Sequence, residues 1–155
     1  MLLQPGDLLP RLSLLRDGQP ARLEPGRGGL LLYFMRSEDC PLCRAHVKRL
    51  VAMHEQLKRR DLNVGVVVPA PDSEAAVASS LKTPFPVLQG QAAHAQVGLK
   101  RVLFEVVQQS GTVITDGEGR ITLLHRATNP GSAFPEDAVW ALLDQPGRSP
   151  APAAR

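Results

Sequence analysis

The sequence predicts an α/β protein in which helices cover both faces of a mixed β-sheet and an N-terminal β-hairpin precedes it. Two continuous apolar runs, residues 30–35 and 62–68, are typical of central strands covered on both faces. An amphipathic stretch between them predicts a helix, and therefore a βαβ unit with parallel strands. A strand, a glycine turn and another strand at residues 112–125 predict an antiparallel edge, which makes the sheet mixed.

The first elements follow in order along the chain. Short extended segments at 12–15 and 21–23 flank the turn residues Asp17-Gly18-Gln19 and predict the hairpin. After the strand at 30–35, a helix is expected from Pro41 to about residue 60. Its buried stripe is expected to consist of apolar residues that recur at helical spacing, namely Cys43, Val47, Leu50, Met53 and Leu57.

The second half of the chain is more broken. Prolines end the strand at 62–68, and a short helix capped by Asp72 or Ser73 is expected next. The remaining expectations are a short strand after Pro86, a helix at 91–97, strands at 112–115 and 120–125, and a last helix at 135–143. Residues 99–109 have no clear pattern. Phe34, Phe104 and Trp140 are predicted to be core residues.

The domain division and the composition narrow the class of protein. We expect one domain at residues 1–145 and a flexible tail at 146–155, which is rich in proline and alanine. The net charge is +3, with basic residues scattered along the chain, so no nucleic-acid partner is expected. The apolar run at 30–35 is far shorter than the roughly 20 residues that span a bilayer, so no membrane partner is expected.

The start of the chain and its cysteines indicate a compartment. Met1-Leu2-Leu3-Gln4-Pro5 carries no positive leader and is broken by proline, so a cytoplasmic location is expected. In that compartment, two closely spaced cysteines are more often redox-active or metal-binding than structural.

The chemistry centres on Cys40-Pro41-Leu42-Cys43, which follows a buried strand and begins a helix. Side chains three apart on a helix are neighbours, so the two thiols can close into a disulfide after a small adjustment. Proline is favoured at the first helical position, so the free N–H groups of the first turn are expected to face Cys40 and favour a negative charge on its sulfur.

The two cysteines are expected to have different roles. Cys40 lies at the open helix end and is the predicted attacking thiolate, whereas Cys43 belongs to the buried stripe and is the predicted resolving partner. Arg36 is a candidate to steady Cys40 or a bound oxygen. Glu38 and Asp39 oppose the negative charge on Cys40.

Several motifs together resemble a known family. They are Gly6-Asp7-x-x-Pro10, Phe34-x-Arg36-Ser37-x-x-Cys40-Pro41-x-Cys43, Phe85-Pro86-Val87-Leu88 and Val113-Ile114-Thr115-Asp116-x-x-Gly119-Arg120-Ile121. The sequence is similar to the peroxiredoxins, the alkyl hydroperoxide reductase and thiol-specific antioxidant proteins. The resemblance implies a thioredoxin-like fold and thiol-based reduction of peroxides without a cofactor. It also implies a thioredoxin-type reductant and makes Ser37 the residue of the Thr/Ser-x-x-Cys signature.

Two positions depart from the family pattern. The family proline seven residues before the cysteine falls at Tyr33, and the arginine that holds the thiolate and peroxide falls near Ser110. Arg36 or Arg126 is the candidate replacement for that arginine. The proline of thioredoxins also falls near Ser110, and Asp39 stands where thioredoxins commonly have tryptophan.

Other functions are open at this stage. The pair could exchange with protein disulfides instead of peroxide, or the chain could be a non-catalytic binding module with inert cysteines. Cys40, Cys43 and His46 could form part of a zinc site, but a closed site needs four ligands and the sequence offers no evident fourth. His46 is otherwise expected to be a solvated helix residue.

Overall fold

The computed structural model describes residues 2–145. In that part of the chain the strands are β1 (Leu14–Arg16), β2 (Gln19–Ala21), β3 (Gly29–Phe34), β4 (Leu62–Val68), β5 (Val87–Gln89), β6 (Arg101–Val102), β7 (Val107–Gln108), β8 (Ser110–Thr115) and β9 (Ile121–Ala127). The helices are α1 (Pro41–Arg59), α2 (Glu74–Leu81), α3 (Gln91–Gln96) and α4 (Glu136–Leu143), with a 3₁₀ turn at Pro130–Ser132.

The main sheet is mixed, as predicted. Its seven strands lie in the order β2-β1-β5-β4-β3-β8-β9. Strands β3, β4 and β5 are parallel, and antiparallel pairing joins β8 to β3 and β9 to β8. The N-terminal hairpin pairs antiparallel with β5 at the other edge. Strands β6 and β7 form a separate small hairpin.

Helices cover both faces of this sheet. The crossovers β3-α1-β4 and β4-α2-β5 move in one direction along the sheet, so right-handed connections place α1 and α2 on the same face, where α4 joins them. We call this the α1 face. Helix α3 packs on the opposite face, which we call the α3 face.

Strand β3 lies at the centre of both cores. Its odd-numbered residues face α1 and its even-numbered residues face α3, as the period of a strand requires. From Leu30 to Phe34 no side chain is more than 1% exposed. The predicted apolar run therefore reflects two buried faces, and its end positions the segment that leads to the cysteines.

The N-terminal hairpin is shorter than predicted and shifted toward its turn. Asp17 and Gly18 both have positive φ values, 51° and 76°, which a two-residue type I′ turn requires. This turn fixes the pairs Arg16↔Gln19 and Leu14↔Ala21, so the strands begin next to the turn. The predicted strand positions at 12–13 and 22–23 lie outside the ladder.

Residues 99–109, for which no prediction was possible, form the β6–β7 hairpin. Its tip contains three successive residues with positive φ, Leu103, Phe104 and Glu105. The prediction that Phe104 is a core residue is wrong, because at this tip its side chain is fully exposed. Phe34 is buried, whereas Trp140 is only partly buried and its ring lies 5.0 Å from the Arg60 guanidinium.

The remaining boundaries differ from prediction by a few residues. Ser73 precedes α2, but its hydroxyl donates to the Ala70 carbonyl and makes no cap bond to the helix. Strand β8 begins two residues earlier than predicted, and β9 ends two residues later. The reason is that the two strands pair with each other from Ser110↔Ala127 onward. The predicted tail at 146–155 lies outside the described residues. No helix in residues 2–145 is long and apolar enough to cross a membrane.

Candidate active site

Cys40 caps the N-terminus of α1. Its backbone is extended, with φ −66° and ψ 115°, and Pro41 occupies the first helical position as predicted. The Cys40 sulfur accepts a hydrogen bond from the Cys43 N–H at 3.3 Å, so one of the free amides of the first turn faces it. Cys40 is 4% exposed, so only a small part of its surface meets solvent.

Cys43 lies one turn into the helix and is fully buried on the α1 face. The Arg36 N–H donates a hydrogen bond to the Cys43 sulfur at 3.3 Å. Burial, together with the neighbouring Cys40 thiol, raises the pKa of Cys43 to about 11. Near neutral pH the Cys43 thiol is therefore protonated, as expected for the less reactive of the two.

Tyr33 lies beneath Cys43 at the position of the family proline. Its hydroxyl interacts with the Cys43 thiol and lies 2.9 Å from His46 Nδ1. Burial, followed by the adjacent Cys43, raises the pKa of Tyr33 above its ordinary value, so the phenol keeps its proton. The sequence showed Tyr33 only as a missing proline.

His46 is not the solvated surface residue that was predicted. Its ring is partly buried against Tyr33 and Phe134, with ring centroids 5.5 and 5.9 Å apart, respectively. Burial lowers the pKa of His46, and a hydrogen bond to the Gly131 backbone only partly opposes that shift. The spacing of His46 and Cys43 predicts that they are neighbours on one helix. It does not predict that both contact Tyr33.

A second histidine reaches the site from the α3 face. His94 is completely buried, and its Nε2 lies 2.8 Å from the Met35 carbonyl oxygen while its Nδ1 lies 3.0 Å from that of Gly90. The Met35 carbonyl and the Arg36 N–H belong to one peptide unit, so that unit connects His94 to the Cys43 sulfur. Burial lowers the pKa of His94. No pattern in the sequence marks this residue.

Arg36 and Ser37 lie in the short loop between β3 and α1. Both line an open cavity of about 510 Å³ beside the β6–β7 hairpin, although neither cysteine is among its lining residues. The Ser37 hydroxyl donates to the Asp39 carboxylate at 2.9 Å, and the Ser37 carbonyl accepts the Cys40 N–H at 3.5 Å. Ser37 thus contacts Cys40 through its backbone, and its hydroxyl is turned to Asp39.

Arg126 does not approach the cysteines. It lies on the α3 face, where its guanidinium donates to the carbonyls of Val97 and Leu3, both at 3.0 Å. Ser110, at the family arginine position, shares the α1 face with the cysteines, and its buried hydroxyl has no hydrogen-bond partner within residues 2–145. Of the two candidate replacements for the family arginine, Arg36 is the one next to the cysteines.

The described side chains do not assemble a metal site. In residues 2–145 no group of three or more His, Cys, Asp and Glu side chains is placed to hold a metal ion. His46 Nδ1 lies 2.9 Å from the Tyr33 hydroxyl, and this hydrogen bond engages that nitrogen.

A buried strand, a helix capped by cysteine and a second thiol one turn later define a redox protein of the thioredoxin-like class. The sequence model of the AhpC/TSA family matches residues 5–123, which is most of the chain. The chain therefore belongs to the AhpC/TSA family and is a thiol-dependent oxidoreductase. Peroxides are its general class of substrate, and thiols are its general class of reductant.

Solved structures share this fold at low sequence identity. A peroxiredoxin-like protein from Aquifex aeolicus superposes with a TM-score of 0.77 at 16% identity, covering 92% of this chain and 87% of the other. Reduced Prx3 from Vibrio vulnificus gives 0.76 at 16%, covering 93% and 100%. A thiol peroxidase from Chromobacterium violaceum gives 0.72 at 20%, covering 92% and 87%. No curated protein matches the chain in sequence.

Proposed function

We propose that this protein reduces hydrogen peroxide or alkyl hydroperoxides through Cys40, with Cys43 as the resolving thiol. The observation that carries the proposal is the different setting of the two sulfurs. Cys40 caps a helix and faces a backbone N–H, whereas Cys43 is fully buried with its pKa raised to about 11. A helix N-terminus favours negative charge, so Cys40 is the better nucleophile.

The chemistry proceeds in two steps. The Cys40 thiolate attacks the terminal oxygen of ROOH, the O–O bond breaks, and the departing RO⁻ takes a proton to leave as ROH. Cys40 is then a sulfenic acid. The Cys43 sulfur attacks the Cys40 sulfur, the S–O bond breaks, and water leaves as the Cys40–Cys43 disulfide forms.

Arg36 is proposed to hold the peroxide oxygen beside Cys40. Its guanidinium makes no hydrogen bond or ion pair to the described residues, and its side chain lines the open cavity next to the helix start. A free guanidinium can donate two parallel hydrogen bonds to an oxygen-rich group. Ser37, whose carbonyl holds the Cys40 N–H, is proposed to fix the position of that residue.

The disulfide returns to two thiols by accepting two electrons from a dithiol, and we assign this step to a thioredoxin-type reductant. Attack of an external thiolate on one sulfur gives a mixed disulfide, which a second thiol of the reductant resolves. A cytoplasmic location fits this cycle, because closely spaced cysteines there are commonly redox-active. The redox domain is assigned to residues 1–145.

Exchange with protein disulfides is the second candidate function. It is favoured by the Cys-x-x-Cys spacing and by Ser110 in place of the peroxide-holding arginine. Stopped-flow consumption of hydrogen peroxide by the reduced protein, compared with reduction of insulin disulfides, ranks the two. Fast peroxide consumption supports the proposal, and activity on insulin alone supports disulfide exchange. Inactivity in both assays points to a non-catalytic module.

The roles of the thiols are tested with Cys43→Ser. This variant should complete one turnover with peroxide but should not be recycled by a dithiol, because the Cys40 sulfenic acid has no neighbouring thiol to condense with. Mass spectrometry of the oxidised variant should show added oxygen on Cys40. Normal cycling of the variant would show that Cys43 is not the resolving residue, and Cys40→Ser serves as the inactive control.

A further inference from the structure

Cys43, the buried thiol, begins a continuous line of polar contacts that leads toward the surface. Its thiol meets the Tyr33 hydroxyl, and that hydroxyl lies 2.9 Å from His46 Nδ1. Tyr33 is fully buried, whereas His46 is only partly buried. The line therefore connects a sealed sulfur to a residue that exchanges protons with water.

To form the disulfide with oxidised Cys40, Cys43 has to lose its thiol proton. The thiolate is the nucleophile in disulfide formation, but a pKa of about 11 leaves only about one Cys43 in 10⁴ ionised near neutral pH. The Cys43 side chain is fully buried, so its sulfur is out of contact with bulk water as a proton acceptor. A group within the protein has to accept that proton during the attack.

The hydrogen-bond directions along the line suit this task. The His46 ring also bonds the Gly131 backbone, and since Nδ1 is next to Tyr33, that contact belongs to the Nε2 side. A neutral ring with its proton on Nε2 has a free lone pair on Nδ1, which accepts the Tyr33 O–H. With that O–H directed to His46, the phenol oxygen can accept the Cys43 S–H in the reduced protein. Once the sulfur has lost its proton, a Tyr33 O–H that donates to it favours the thiolate, which is the sense in which Tyr33 lowers the Cys43 pKa.

We propose that Tyr33 and His46 form a proton relay for the resolving thiol Cys43. As the Cys43 sulfur bonds to the Cys40 sulfur, the Cys43 proton moves to the Tyr33 oxygen and the phenolic proton moves to His46 Nδ1. His46 releases the proton to water. Both are positioning residues for the thiol and do not touch the substrate. The inference rests on the proposed function, because it assigns Cys43 the resolving step.

Titratable groups on α1, α4 and β9 make contacts of their own. On α1, Arg49 forms an ion pair with Glu136 of α4 at 2.7 Å. From β9, His125 Nε2 lies 2.7 Å from the Ser132 carbonyl oxygen. Neither contact involves the His46 ring. Phe134 covers the ring from the other side, so Tyr33 is the titratable group that faces Nδ1.

The test isolates the attack by Cys43 and uses no peroxide. Reduced protein is mixed with excess 4,4′-dithiodipyridine, and the released thiopyridone is followed by stopped-flow absorbance. Cys40 displaces the first thiopyridone and keeps the second as a mixed disulfide. Cys43 then attacks the Cys40 sulfur, gives up its proton and releases the second thiopyridone. The first phase reports Cys40, and the second reports Cys43.

Tyr33→Phe and His46→Gln should each slow the second phase by roughly 10²-fold near neutral pH, the low end of what a general base contributes. The first phase should be unchanged. In the unaltered protein the second phase should fall as pH decreases through the His46 pKa, which lies below its usual value. In both variants that inflection should disappear, and the rate should instead rise with pH toward the Cys43 pKa of about 11.

His54→Gln is the matched control. His54 lies on the same helix about two turns further on, where its ring packs against Phe85. This variant should keep both phases and the inflection. An unchanged second phase in the relay variants, or equal slowing of both phases, would overturn the inference. A protein that shows the relay dependence here but consumes no peroxide would contradict the proposed function and leave the relay intact.

Discussion

The unequal reactivity of the two thiols can be measured by leaving one cysteine at a time. Cys43→Ser leaves Cys40 at the helix start, and Cys40→Ser leaves Cys43 in the core. Serine is among the preferred N-cap residues, so Cys40→Ser should preserve the start of α1. Each variant then reports one sulfur in its native setting.

The expected difference in labelling rate follows from the environment of Cys43. The Cys43 pKa is raised from 9.0 to about 11, and burial is the largest cause of this shift. Well below both values, a rise of two units lowers the thiolate fraction about 100-fold at any given pH. Loss of the Cys40 thiol in the variant removes a smaller contribution and leaves burial in place. We therefore expect Cys43 to be alkylated on the order of 10² times more slowly than the same cysteine in the unfolded chain.

Iodoacetamide labelling followed by intact-mass spectrometry provides the rates, with each variant repeated in denaturant as its own reference. Cys40 should be labelled much faster than Cys43 near neutral pH. The Cys43 rate should increase about tenfold per pH unit until the pH approaches 11. Equal rates for the two sulfurs, or a Cys43 rate equal to its denatured reference, would refute the assignment of Cys40 as the nucleophile.

Three further predictions concern the buried His94 and the two arginines. Because burial lowers the pKa of His94, this histidine binds a proton at higher pH in the unfolded chain than in the folded protein. The free energy of unfolding should therefore fall as pH decreases below about 6.5, by up to about 1.4 kcal/mol per pH unit. In urea titrations, His94→Gln should remove this part of the pH dependence. Arg126→Met, which loses donors to the carbonyls of Val97 and Leu3, should lower stability by about 1–3 kcal/mol without changing peroxide consumption. Arg36→Met should slow peroxide consumption with little effect on stability, and the reverse pattern would exchange the roles of the two arginines.

The main elements of the fold were predictable because their signals are local. The stripe from Cys43 to Leu57 repeats at helical spacing over about four turns, and β4 was predicted at its observed limits, residues 62–68. The β6–β7 hairpin escaped prediction because its strands have two residues each and its tip needs three successive left-handed residues. Phe104 is exposed because it lies at this tip, although an aromatic side chain is ordinarily a good candidate for the core.

The site was predictable only as far as it is contiguous in the chain. Cys40, Cys43 and the proline between them specify a helix start, and the nine residues at 35–43 contain them and the loop before them. The contacts of His94 and Tyr33 depend on which residues share a face of the sheet. His94 is 54 positions after Cys40, and its contact with the Met35 carbonyl exists because α3 packs beneath the end of β3. Sequence spacing alone has no signal for such a contact.

A resolving thiol has to be unreactive before Cys40 is oxidised and reactive afterwards, and the surroundings of Cys43 supply both properties from different sources. Burial keeps the proton on sulfur in the reduced protein, which protects Cys43 from peroxide. The Arg36 N–H donates to the sulfur and favours any negative charge that develops there during the attack, while Tyr33 provides the path by which the proton leaves. Tyr33 lies on β3, and the Met35–Arg36 peptide lies just beyond its end, so both are positioned by a fully buried strand that pairs on both sides. Reactivity then requires only an electrophilic sulfur at Cys40, and the oxidation of that residue is itself the signal that starts resolution.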